Sequence, residues 1–173
     1  LSQDLEIALA VAANEAARRG HAFAGLEHAL RALLLDPNVS DVLWHAGADV
    51  EVLAAAIEAF LDDEPADAVD ADPEEPPAMT VGLRRALSRA VAHRAGVGQT
   101  EITPTDLLVA LLDEEDAFAV DLIRQQDVTR LDVVSYVAHG ESRRQAAGDL
   151  APSPAGEGDA GPEAASAAPG DAL

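Results

Sequence analysis

Glu27-His28 and the arginines Arg84, Arg85, Arg89 and Arg94 are the side chains whose types and spacing best suit chemistry or binding. An acid in the first turn of a helix is favoured by the helix dipole, and Glu27 there also offers an exposed anionic contact to a partner. Arg85 and Arg89 are four apart and share a helix face, forming a basic stripe that would stand out to an acidic partner. Catalysis finds less support. A serine nucleophile needs a partnered histidine and an oxyanion site, and Ser2, Ser40, Ser88 and Ser135 lie outside any G-x-S-x-G turn. No Walker or G-x-G-x-x-G phosphate loop is present, and Gly96-Val-Gly98 reads as a helix exit. Of the 5 histidines, His21 and His28 are placed to meet, but their spacing fits no zinc pattern and there are 0 cysteines to support them. His93 and His139 suit helix C-termini. The expectation is a chain without metal, cofactor or catalytic centre.

These residues are positioned by a pattern that occurs twice. Ile102-Thr-Pro-Thr-Asp-Leu-Leu-Val-Ala-Leu-Leu112 repeats the plan of Phe23-Ala-Gly-Leu-Glu-His-Ala-Leu-Arg-Ala-Leu-Leu34. Leu30, Leu33 and Leu34 correspond to Leu108, Leu111 and Leu112 at a constant shift of 78, which also relates Leu5, Ala8 and Ala12 to Leu83, Ala86 and Ala90. The shift drifts to 79 at Leu43 and Leu122, then to 80 at Leu53 with Val133 and Ile57 with Val137. Two insertions in connecting loops account for the drift, so the chain carries an internal duplication.

Each copy reads as four helices. The first copy gives residues 3–19, 25–35, 38–46 and a fourth helix capped by Asp49; the second gives 80–95, 103–113, 116–126 and 129–138. Thr80 and Thr129 are caps, and Thr103-Pro-Thr-Asp106 joins a cap, a proline at the first helical position and an acid three residues on. Gly25 is a weaker cap, and Gly140 closes the last helix. Phe23 is expected to plug the core and Trp44 to lie in it. The fold class is therefore all-α: a compact eight-helix bundle of two pseudo-two-fold-related four-helix repeats. Residues 1–140 form the domain, with repeat one at 1–61, an acidic linker at 62–79 and repeat two at 80–140. From Glu141 to Leu173, Ala, Gly, Pro and acids predominate, and the segment is expected to be a disordered tail.

The formal net charge of −21 opposes nucleic-acid and anionic membrane partners. All 11 basic residues are arginine, which GC-rich codon usage would produce. With no run of 18 apolar residues and no signal peptide, the expected location is the cytoplasm.

The duplicated pattern resembles the Clp N-terminal (repeat) domain that heads the Hsp100 (Clp/AAA+) unfoldases. Leu1-Ser-Gln-Asp-Leu-Glu-Ile-Ala-Leu9, Glu27-His28 and Thr129-Arg-Leu-Asp-Val-Val-Ser-Tyr-Val-Ala-His-Gly140 look like the ClpA type. Other branches carry Thr-Glu-His at the second helix of both repeats. Here the second copy has Thr103-Pro-Thr-Asp106, which departs from the two-Glu phosphoarginine recognition of the ClpC type. The resemblance implies a non-catalytic recruitment domain of a subunit whose ATPase modules join a ClpP-type peptidase, with the tail as tether. It implies docking of the adaptor ClpS, which delivers protein substrates, onto Glu27, Thr80 and Arg85, with Arg84 and Arg89 extending the stripe. The isolated domain is expected to be monomeric. The alternatives are a free-standing Clp N-domain protein that competes for adaptors and a small metal-binding protein.

Overall fold

The computed structural model describes residues 1–67 and 74–149. Among them the chain is all-α apart from two strands of two residues each. Repeat one contributes α1 (Gln3–Arg18), α2 (Leu26–Leu33), α3 (Pro37–His45) and α4 (Val50–Asp63). Repeat two contributes α5 (Val81–Gly96), α6 (Pro104–Leu111), α7 (Phe118–Gln125) and α8 (Arg130–His139). The lengths run 16, 8, 9 and 14 in the first set and 16, 8, 8 and 10 in the second.

The caps explain where the helices begin. Ser2 and Thr80, equivalent at the 78-residue shift, each accept the backbone N–H three residues on, Leu5 and Leu83, at 3.2 Å. Thr103 and Thr129 each close a capping box with Asp106 and Asp132. Asp36 caps α3 ahead of Pro37, whose missing N–H costs nothing at the first helical position. Gly140 ends α8 at φ 68°, a left-handed conformation that favours glycine.

One apolar cluster joins both repeats. Leu30, Leu33, Leu108 and Leu111 are fully buried, as are Leu5, Leu43, Leu53 and Ile57. Each such leucine contributes roughly 2 kcal/mol through removal from water. The repeats are also tied by backbone: Ser2 N–H donates to Ile102 C=O at 2.8 Å. Strand β1 (Phe23–Ala24) pairs in parallel with β2 (Ala78–Met79), and Thr80 N–H donates to Ala24 C=O at 3.0 Å.

Several expectations need correction. Phe23 is 55% exposed, because the alternation of β1 sends Ala24 inward instead. Trp44 is 49% exposed, since α3 buries Val39, Val42 and Leu43 and the indole falls off that stripe. Val137 is 47% exposed although its counterpart Ile57 is buried; α8 buries only Val133 and packs more shallowly than α4. The linker is anchored at both ends: Asp62 and Asp63 finish α4, Asp67 accepts Ala22 N–H at 2.6 Å, and Ala78–Met79 form β2. Residues 68–73 lie outside the described residues. The segment expected to be disordered from 141 instead carries α9 (Arg143–Asp149), so the described residues hold nine helices. The rest of that tail, 150–173, lies outside them.

Candidate functional site

A groove of about 670 Å³ opens where the N-termini of α2 and α5 meet the turn between α6 and α7. Glu27, Thr80, Arg85 and Arg89 all line it; Arg84, on α5 but exposed, does not. Two glycines let the helix starts come together. A Cβ on Gly82 would stand 3.2 Å from Leu26 Cδ1, and one on Gly25 would stand 3.3 Å from Glu27 Oε2.

Glu114 organises the groove. It lies in Asp113-Glu-Glu-Asp116 directly after α6 and is only 6% exposed. Arg85 Nε donates to its two carboxylate oxygens at 2.9 and 3.0 Å, Arg85 Nη2 also contacts Oε2, and Arg89 Nη1 donates to Oε1 at 2.6 Å. A buried carboxylate requires such partners. The hydrogen bonds from Arg85, helped by the charge of Arg89, hold its pKa below the usual carboxylate value against the opposing effect of burial. Arg85 is pushed further up by the same contact. The arginines are thus not a free basic stripe. Five carboxylates (Glu27, Asp113, Glu114, Glu115, Asp116) face two guanidinium groups in the groove lining, and both guanidinium groups are already committed to Glu114.

Glu27 reaches across the groove. Its Oε1 accepts Ala119 N–H at 3.4 Å, a long bond to the first turn of α7, which lacks a side-chain cap. Thr80 contributes its methyl to the wall, 3.5 Å from the position a Gly25 Cβ would take. Phe118 stacks on Phe60 at 4.1 Å between centroids and forms the apolar end. At the 78-residue shift Arg85 and Arg89 correspond to Ile7 and Val11, which line an apolar groove in repeat one. The paired arginines of the groove therefore have no counterpart in repeat one.

Reading the sequence misses Glu114. The available signal is four consecutive acids after α6, opposed by two arginines one turn apart on α5.

His21 and His28 do meet, but as a structural pair. Gly25 N–H donates to His28 Nδ1 at 3.1 Å, which places the ring proton on Nε2. His28 Nε2 then donates to His21 Nδ1 at 2.9 Å, and His21 Nε2 donates to Glu64 C=O at 3.3 Å. This chain of bonds replaces the cap that Gly25 lacks and ties α2 to the end of α4. Burial, with His21 and Arg19 close by, lowers the His28 pKa from 6.5 to about 4. Among the described residues no group of three or more His, Cys, Asp or Glu side chains is placed to hold a metal.

Residues 1–126 match the Clp repeat (R) N-terminal domain family.

This chain belongs to that family. A ClpA homolog protein of Fuscovulum blasticum is 32% identical over 151 residues, covering 87% of this chain and 19% of its own length. The chain therefore spans about a fifth of that relative. The N-domain of ClpV from Vibrio cholerae is 26% identical with a TM-score of 0.65, over 83% of this chain and 87% of that one. A complex of the ClpV N-domain with a VipB peptide is 25% identical with a TM-score of 0.62, over 83% and 89%. Clp N-domains are thus the setting for the groove. No helix among the described residues is long and apolar enough to cross a membrane.

Proposed function

We propose that this Clp N-domain is a non-catalytic recruitment module, of the ClpA type, that docks a ClpS-type adaptor on the groove around Glu27, Thr80, Arg85 and Arg89. The observation that carries the reading is the convergence of those four residues, drawn from two repeats, on one opening. The 32% identity to a ClpA homolog supports the type, and that relative's greater length supports a longer parent chain, which would carry ATPase modules and act with a separate ClpP-type peptidase. Chemically, the groove presents acids around a central pair of oriented guanidinium groups. A partner must match both signs, which selects orientation and rejects a partner of one sign only. Arg84 would act at the rim. The domain would work as a monomer in the cytoplasm, passing protein substrates onward.

A second reading, direct capture of a peptide without an adaptor, is favoured by the ClpV N-domain complex with a VipB peptide. Calorimetric titration of a ClpS protein into the whole chain separates them. Saturable 1:1 binding supports the adaptor reading; no heat with ClpS, together with saturable binding of peptide substrates, replaces it with the second.

A further inference from the structure

Away from the groove residues in sequence, the C-terminal end of α3 meets an arginine. Arg144, from α9, donates from Nε to Trp44 C=O at 2.6 Å and from Nη2 to Ala48 C=O at 2.7 Å. Its guanidinium carbon lies 4.7 Å from the centroid of the Trp44 ring. Asp41, Asp49 and Glu51 line the same concavity. We propose that this is an arginine-binding site, held here by the chain's own Arg144, which accepts an arginine side chain of another protein segment when α9 withdraws.

Four features of the site favour a guanidinium. Two carbonyls at a helix end and the following turn match the fork of Nε and Nη2, a geometry a lysine ammonium cannot reproduce. The C-terminal end of α3 carries partial negative charge, which favours a cation there. The indole face adds a cation–π contact. The surrounding carboxylates keep the local field negative.

The occupant is exchangeable because little holds α9. Among the described residues, none of 143–146 of α9 belongs to the buried apolar core, whose last member in sequence is Val133. The anchors beside Arg144 are polar: Ser142 Oγ lies 2.8 Å from His45 Nδ1, and Arg143 contacts Asp127 C=O and lies 3.4 Å from Asp132. Ser142 is buried and stays in place, whereas the Arg143 contacts beyond it are exposed, contribute little each and open readily. Trp44 stays half exposed even with Arg144 above it, so an incoming side chain has access.

The chain has 1 tryptophan, so its fluorescence reports this site alone. Arg144→Ala in the full chain is expected to shift Trp44 emission to the red. Titration with the capped peptide acetyl-Ser-Arg-Arg-Gln-Ala-amide should reverse the shift. The wild-type chain should need about tenfold more peptide, because its own arginine competes at high effective concentration. The same peptide with lysine at both arginine positions should leave the emission unchanged. Circular dichroism checks that the variant is folded, and Arg144→Lys, which keeps the charge, should behave as Arg144→Ala. Unshifted emission in both variants, an equal response to the lysine peptide, or an equal response of wild type and variant would overturn the proposal.

Discussion

Arg85 lies across Glu114, its Nε 2.9 and 3.0 Å from the two carboxylate oxygens, and this pairing decides what the groove can offer a partner. Arg85 keeps half of its side chain exposed, while the Glu114 side chain is 5% exposed. The carboxylate is therefore the fixed element, and the arginine is oriented by it.

Replacing Glu114 by Gln should free Arg85 and Arg89 to move. Both arginines are half exposed, so the stability cost is modest, about 1 kcal/mol in a denaturant titration. Adaptor affinity should fall more than stability does. The Glu114 pKa is held low in the folded state, so its contribution is present above the ordinary carboxylate pKa and disappears as pH falls through the folded value. A Glu114→Gln chain that binds the adaptor as tightly as wild type would remove the positioning role.

The His28 pair gives a separate pH dependence. The folded pKa of about 4 lies below the ordinary 6.5, so the unfolded chain binds the extra proton between these values. Stability is complete above pH 6.5 and falls as pH drops toward 4, by roughly 2–3 kcal/mol. Thermal melts of wild type and His28→Ala across that range check it. The variant should be less stable at pH 7 and show a flatter profile.

Core truncation tests the duplication. Leu33→Ala and Leu111→Ala each remove a fully buried side chain from equivalent helices and should each cost about 2–5 kcal/mol. Ile57→Ala should cost far more than Val137→Ala, because only Ile57 is buried. Equal losses at positions 57 and 137 would contradict the shallow packing of α8.

The sequence discloses the helices well because leucines recurring at a fixed shift must occupy equivalent buried positions, as Leu30 and Leu108 do. It discloses the ends of helices through caps such as Thr80 and Thr103. Periodicity cannot say how deep a helix sits, which is why Trp44 reads as core and why Val137 matches buried Ile57 in sequence but not in burial. Glu114 escapes notice because it stands in a turn, where no period applies and an acid looks solvated. Arg143 and Arg144 are hidden in a segment whose alanines and glycines suggest no structure, though two arginines beside a helix end are enough to dock it.

At the groove itself, Arg85→Gln is a cleaner variant than Arg85→Glu, which would set a second carboxylate against buried Glu114. Arg85→Gln should reduce adaptor affinity by roughly 1–2 kcal/mol, read by calorimetry, with Arg89 keeping Glu114 partnered.

The most direct test is calorimetric titration of a ClpS-type adaptor into wild type and Glu27→Arg. Glu27 lines the groove and, among the described residues, makes one long hydrogen bond, so its reversal should leave the melting temperature nearly unchanged. Adaptor affinity should drop by roughly 1–3 kcal/mol, a loss of about fivefold to 150-fold. Undiminished affinity in Glu27→Arg would contradict docking at this groove.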